Sequence, residues 1–244
     1  MKFIALIPAR FRSTRLPGKV LKDINGKPLI YHVYMNTRRT SGIDDCIVCC
    51  DEDPVADACR RNDINYIMTG THHTSGTSRI AEAAARIEAD VIINVQGDEP
   101  MISSKILTPL METFNDPAVD IATVVKRTDD ENEIQNENVV KAVIDAKGFA
   151  MYFSRATIPH RRKDVTREAV YRKHIGVYAY RKNVLLDIVK LPPCDYESIE
   201  MLEQLRWLHA GYRIRTIETA ETLYGVDTPE DLALVTDILK NRHS

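Results

Sequence analysis

The chain has 244 residues, with 33 Lys and Arg set against 35 Asp and Glu for a formal net charge of −2. That length admits one α/β domain, or one domain with a large insertion, and the balanced charge argues against a general nucleic-acid binder, which would carry a basic face. Apolar residues at 44% and charged residues at 28% are ordinary for a globular protein, and no apolar run approaches the roughly 20 residues that span a bilayer. Met1-Lys2 leads straight into an apolar stretch, so no secretory leader is expected. Cys46, Cys49 and Cys50 crowd one predicted strand; without partner ligands for a metal cluster they read as buried thiols of a reducing cytoplasm.

Phe3–Ile7 reads as a buried strand stopped by Pro8. Arg10, Arg12, Arg15 and Lys19 follow within ten residues, with no acid among them and with Pro17-Gly18 punctuating the loop. Cations just past the carboxyl end of a first strand suit a polyphosphate, because ligands of open α/β sheets sit outside the strand ends. Arg offers a planar fork to phosphate oxygens and Lys a compact charge. The loop matches neither the P-loop pattern nor the Gly-rich dinucleotide fingerprint.

Leu29–Thr40 reads as a helix, Asp45–Cys50 as a second strand, Pro54 to about Arg61 as a helix and Tyr66–Met68 as a third strand. This alternation predicts a mainly parallel, Rossmann-like sheet with helical crossovers. A polar loop from Thr69 leads to a helix over Arg79–Ala89, and Val91–Val95 is the most apolar strand. It runs into Gln96-Gly97-Asp98, where a carboxylate after a Gly turn suits either a Mg²⁺ bound against phosphate or the N-cap of a helix from Ser103. From residue 121 to about 182 the alternation breaks. Strands at Ile121–Val125, Val139–Ile144, Ala150–Phe153 and Ile175–Tyr180, with a charged excursion over Arg161–Arg172, predict an inserted small mixed sheet within a single domain. Helices follow at Leu185–Val189 and Ile199–Ala210, the second placing Glu200 on one face with Glu203 and Gln204. Arg213–Ile217 is a strand, and Thr228-Pro229 reads as N-cap and first turn of the last helix, so Asp227 lies just before a helix start.

Seven strings carry a resemblance that extends over nearly the whole chain in one order. They are IPARFRSTRLPGK (7–19), Asn25-Gly26-Lys27-Pro28, NVQGDEP (94–100), YFSRATIP (152–159), KHIGVYAY (173–180), EMLEQLR (200–206) and GVDTPEDL (225–232), with Ser75-Gly76-Thr77 between the second and third. This set resembles the CMP-Kdo synthetases, which activate 3-deoxy-manno-octulosonate (Kdo). The resemblance implies a GT-A-like nucleotidyltransferase fold and attack of the sugar's anomeric hydroxyl on the α-phosphate of CTP, giving CMP-sugar and pyrophosphate for lipopolysaccharide or capsule synthesis. It implies Lys19, Arg10 and Asp98 as catalytic residues, nucleotide contacts at Ala9, Arg10, Arg15, Lys19, Ser75, Gly76 and Gln96, and Mg²⁺ held by Asp98 and Asp227. Sugar contacts fall to Arg155, His174, Glu200, Glu203 and Gln204, and the inserted sheet is expected to make a cytoplasmic homodimer. His174 also reads as a packed strand residue, and Glu200, Glu203 and Gln204 as a solvated helix face.

One stretch departs from the family pattern M-T-R-x-D-H-x-S-G-T-[DE]-R. Gly70 stands where relatives have Arg, His72 where they have Asp, and Ser78 where they have an acid. The same loop borders the nucleotide pocket in relatives, so altered base discrimination is expected, with His72-His73 replacing the lost Arg contact. The acceptor is also open to an 8-amino or nonulosonic variant of Kdo. Rival readings are a sugar-phosphate nucleotidyltransferase and a non-catalytic sugar-nucleotide binder, which would not need Asp98 and Asp227 together.

Overall fold

The computed structural model describes residues 1–11, 16–166 and 168–241. The chain divides into two compact units, one built from Met1–Thr108 and the chain from Thr222 onward, the other from Pro109–Glu221.

In the first unit the chain runs β1 (Phe3–Ala9), β2 (Asp23–Ile24), β3 (Lys27–Pro28), α1 (Leu29–Arg38), β4 (Asp45–Cys50), α2 (Asp53–Arg61), β5 (Tyr66–Met68), α3 (Gly76–Ala84), β6 (Val91–Asn94) and α4 (Ser104–Glu112), whose last turn enters the second unit. β1 pairs in parallel with β4 on one side and β6 on the other, and β4 pairs in parallel with β5. The parallel sheet expected from the β-α-β alternation is therefore present. Residues 4–7 of β1 and all four of β6 are buried, the continuous apolar pattern of strands covered on both faces. The short β2–β3 ribbon turns through Asn25 and Gly26, whose φ of 53° and 84° are the left-handed pair a two-residue hairpin needs. The Asn-Gly dipeptide carried that signal.

The second unit contains β7 (Ile121–Thr128), α5 (Glu131–Gln135), β8 (Lys141–Ile144), β9 (Ala150–Ser154), β10 (Tyr171–Arg181), α6 (Lys182–Ile188), α7 (Asp195–Glu200), α8 (Gln204–His209) and β11 (Ile214–Glu218). β7 lies antiparallel to β10 and parallel to β11, and β8–β9 is a hairpin, so this sheet is mixed, as expected. α9 (Pro229–Asn241) returns the chain to the first unit. The expected insertion at 121–182 lies inside the second unit.

Three expectations need correction. The continuous helix over 199–210 is two short helices, because Met201 takes the left-handed conformation at φ 52° and ends α7. Glu200 therefore shares no helical face with Glu203 and Gln204. The helix placed at Arg79–Ala89 starts earlier, at Gly76, because the Ser75 side chain caps it by accepting from Ser78 N at 3.1 Å. β10 begins at Tyr171 and takes in part of the charged excursion. No helix of the described residues is long and apolar enough to cross a membrane. Cys46, Cys49 and Cys50 are buried free thiols, as read, and Cys59 is a fourth. Burial pushes Cys50 up to about 11 and Cys59 up to about 12, so these sulfurs stay protonated.

Candidate active site

The site in the first unit forms where β1 and β6 end. Gly97 lets the two ends approach: a Cβ there would lie 2.8 Å from the Pro8 carbonyl oxygen. The next residue, Asp98, is thus delivered beside the basic loop. Within that loop Gly18 adopts φ 65° and donates its N–H to Phe11 O at 3.2 Å, which folds the chain back and starts a short 3-10 turn at Lys19. Lys19 Nζ then donates to Asp98 Oδ2 at 2.6 Å and to Asp227 Oδ1 at 2.8 Å. Burial lowers the Lys19 pKa, but the Asp98 charge and the bonds to Asp227 and Asp98 outweigh it, and the net direction is up. The ammonium stays charged.

Asp227 is positioned by its own backbone. Val226 N donates to Asp98 O at 2.9 Å, tying the two acidic segments together. Asp231 Oδ2 accepts from Asp227 N at 3.0 Å and Thr228 N at 2.9 Å, while Thr228 Oγ1 accepts from Asp231 N at 3.2 Å. This is a reciprocal cap of α9. The threonine cap was legible in the sequence; Asp231, three residues on, carried a capping-box signal that the reading did not use. The N-cap alternative for Asp98 is not what forms, since its carboxylate meets Lys19.

A cavity of about 170 Å³ opens beside this cluster, lined by Pro8, Arg10, Lys19, Val20, His73, Thr74, Ser75, Gly76, Arg79, Gln96, Gly97 and Asp98. Six of the expected nucleotide and catalytic residues therefore face one space: Arg10, Lys19, Ser75, Gly76, Gln96 and Asp98. Ala9 is fully buried at the end of β1. Arg15, like Arg12, lies outside the described residues. Arg79 was not singled out by sequence. Only 3% exposed, it donates to Asp51 Oδ2 at 2.7 Å and to Thr69 Oγ1 at 2.8 Å, which fixes its place in the cavity wall.

The expected sugar residues all fall in the second unit. Arg155 and Glu200 meet: Arg155 N donates to Glu200 Oε2 at 2.9 Å, and Ser154 Oγ donates to Glu200 Oε1 at 2.6 Å. The Arg155 guanidinium holds main-chain carbonyls, Glu200 O at 2.7 Å and Glu137 O at 3.0 Å. Thr123 Oγ1 donates to Val177 O at 2.8 Å and accepts from His174 Nε2 at 3.0 Å. Part of His174 keeps accessible surface, yet its ring packs against Phe153 and Tyr178 at 5.0 and 5.3 Å, and burial pushes its pKa down to about 3. The ring is neutral. Gln204 is buried at the start of α8 and Glu203 is half-buried beside it. Lys141, missed by sequence, is fully buried with Nζ donating to Asn136 O, Val139 O and Arg155 O at 2.9, 2.6 and 2.6 Å. No local pattern marks such a residue.

Comparison with known proteins decides the family. A family model described as cytidylyltransferase matches residues 4–217. The 3-deoxy-manno-octulosonate cytidylyltransferase of Geobacter sulfurreducens is 44% identical, over 98% of this chain and 100% of the relative. The enzyme of the same name from Flavobacterium johnsoniae is 43% identical, over 99% of this chain and 100% of the relative. The chain belongs to the 3-deoxy-manno-octulosonate cytidylyltransferase family. A solved structure of CMP:2-keto-3-deoxy-manno-octonic acid synthetase complexed with CTP superposes on this cytidylyltransferase with a TM-score of 0.94, at 40% identity, covering 99% of this chain and 100% of that one.

The departures of this cytidylyltransferase from the family motif have a common structural basis. A Cβ on Gly70 would lie 2.4 Å from Cε1 and Nδ1 of His72, so the His72 ring fills space that a side chain at position 70 would need. The third change, Ser78, receives His73 Nδ1 at 3.1 Å. His73, at the family's histidine position, lines the cavity; Gly70 and His72 are not among the described lining residues.

Proposed function

We propose that this protein transfers the cytidylyl group of CTP to the anomeric hydroxyl of Kdo, giving CMP-Kdo and pyrophosphate. The observation that carries this reading is the meeting of Lys19 with Asp98 and Asp227 at the carboxyl ends of parallel strands. It occurs in a chain similar over its full length to a synthetase that holds CTP.

Arg10 and Lys19 bind and orient the triphosphate, and their charges oppose the charge that develops as pyrophosphate leaves. Ser75, Gly76 and Gln96 line the space for the nucleoside. Asp98 and Asp227 fit a Mg²⁺ site: both are hard oxygen donors, and both already converge on one cation, the Lys19 ammonium. A Mg²⁺ held by these two carboxylates would supply Lewis-acid neutralisation of phosphate charge. Arg155, His174, Glu200, Glu203 and Gln204 are assigned to the sugar acid, His174 as a neutral ring. The reading includes a homodimer, supported by the large apolar side chains that the second unit exposes: Met151, Tyr196, Ile199 and Met201 are 62, 51, 80 and 75% accessible. It also includes a cytoplasmic location, supported by four buried free thiols, and a role supplying lipopolysaccharide or capsule.

The test is pyrophosphate release with each of the four nucleoside triphosphates against Kdo, its 8-amino analogue, sialic acids and hexose 1-phosphates. CTP with Kdo should give the highest kcat/KM. Preference for a hexose 1-phosphate would overturn the assignment.

A further inference from the structure

His72, His73 and Glu82 form a cluster beside the cavity, on the loop before α3 and on α3 itself, with one ligand-type atom from each lying within 4.8 Å of the others. The rings of His72 and His73 lie with centroids 4.3 Å apart. His73 Nε2 stands 2.6 Å from Glu82 Oε2 and its Nδ1 stands 3.1 Å from Ser78 Oγ. Ser78 Oγ stands 3.1 Å from Ser75 O as well as from His73 Nδ1, so its one hydrogen serves either acceptor. At 2.6 Å the contact between His73 and Glu82 is a hydrogen bond that shares one proton between them, and a divalent ion taken up there would release that proton.

The surroundings match what metal-ligating histidines require. Ser78 holds the orientation of the His73 ring through its other nitrogen, the usual outer-shell arrangement. Glu82 is anchored by Gly70 N, which donates to Oε2 at 2.9 Å, and by Arg86, which pairs with Oε1. Gly70 leaves the room in which the His72 ring sits. Two imidazoles and one carboxylate, with a fourth position open to solvent through the exposed His72, are a donor set for a borderline divalent ion. They do not suit Mg²⁺, which prefers an all-oxygen shell.

We propose that His72, His73 and Glu82 bind one Zn²⁺ or a similar transition-metal ion, distinct from the Asp98–Asp227 pair, clamping the loop from Thr69 to Ser75 onto α3. Since His73, Thr74 and Ser75 line the cavity, an occupied site holds one cavity wall in a single arrangement. The metal site does not rest on the cytidylyltransferase reading and can be tested without substrate.

The experiment is equilibrium dialysis of the tag-free full chain against Zn²⁺, with excess Mg²⁺ throughout and metal counted by mass spectrometry. Co²⁺ serves as a spectroscopic substitute whose visible absorption reports nitrogen and oxygen ligation. The expected result is saturation at one ion per chain and loss of both that binding and the Co²⁺ band in His72→Ala, whose exposed side chain can be removed without disturbing the fold. Gly70→Ala, whose added Cβ would lie 2.4 Å from Cε1 and Nδ1 of His72 and so displaces that ring, should weaken Zn²⁺ binding about tenfold. Failure of the wild-type chain to saturate, or wild-type affinity retained in His72→Ala, overturns the proposal.

Discussion

Lys19 stands between two carboxylates that come from distant parts of the chain, and each of the three should have a separable kinetic effect. Asp98→Asn and Asp227→Asn are each expected to lower kcat by about 10²–10³, the size of losing one preorganised electrostatic partner, with a much smaller change in KM for CTP. Steady-state pyrophosphate release checks this, and chelation should abolish activity that Mg²⁺ then restores. Lys19→Ala and Arg10→Ala should both reduce kcat/KM, and Lys19→Arg should rescue only in part, because a planar fork cannot take the place of a point charge held at 2.6 and 2.8 Å by two acids. Full activity in either Asn variant would remove that acid from the site. At this scale the residue types were legible: a cation-rich loop after a strand and an acid after a Gly turn. The lysine's position between the acids was not, since it depends on a segment more than two hundred residues away.

Among the elements, α3 and β10 carry the sharpest expectations. α3 holds Arg79 in a nearly dry ion pair with Asp51, their side chains 4% and 9% accessible. Arg79→Met leaves that acid buried without its partner and should cost about 3–5 kcal/mol in urea unfolding. β10 holds His174 with a folded-state pKa pushed down to about 3, below the ordinary value of 6.5. Between those two pH values the unfolded chain binds a proton that the fold refuses, so stability falls as pH drops through 6.5 towards 3 and is unaffected by this group above that window. His174→Gln, which keeps a donor for Thr123, should therefore lose less stability than wild type between about pH 7 and pH 4.5, read from urea midpoints. Identical pH slopes would show that His174 is not the responsible group. The strands were legible because buried parallel strands are unbroken apolar runs. The break at Met201 was not: the stretch from Ile199 to Ala210 has helical composition, and what stops α7 is a left-handed residue next to Glu200, whose carboxylate is engaged by Ser154 and Arg155 of another element.

For the whole molecule, the proposed homodimer predicts a mass of twice 27.7 kDa by light scattering. Replacing Ile199 and Met201 together by Asp should give a monomer, since charges on an apolar contact oppose its burial; a wild-type monomer would overturn the dimer. The sequence by itself determined the α/β class, the parallel strands of the first unit, the mixed sheet of the second and the family. Each of these is written in local periodicity or in contiguous strings such as NVQGDEP. Only the tertiary structure decided that Lys19 joins Asp98 to Asp227, that Lys141 is buried among three carbonyls, and that Gly70, His72 and Ser78 belong to one rearranged cluster around His73 and Glu82. Those outcomes are set by which strand ends and helix faces come together in space, and a one-dimensional pattern records spacing along the chain but not the distances that folding closes.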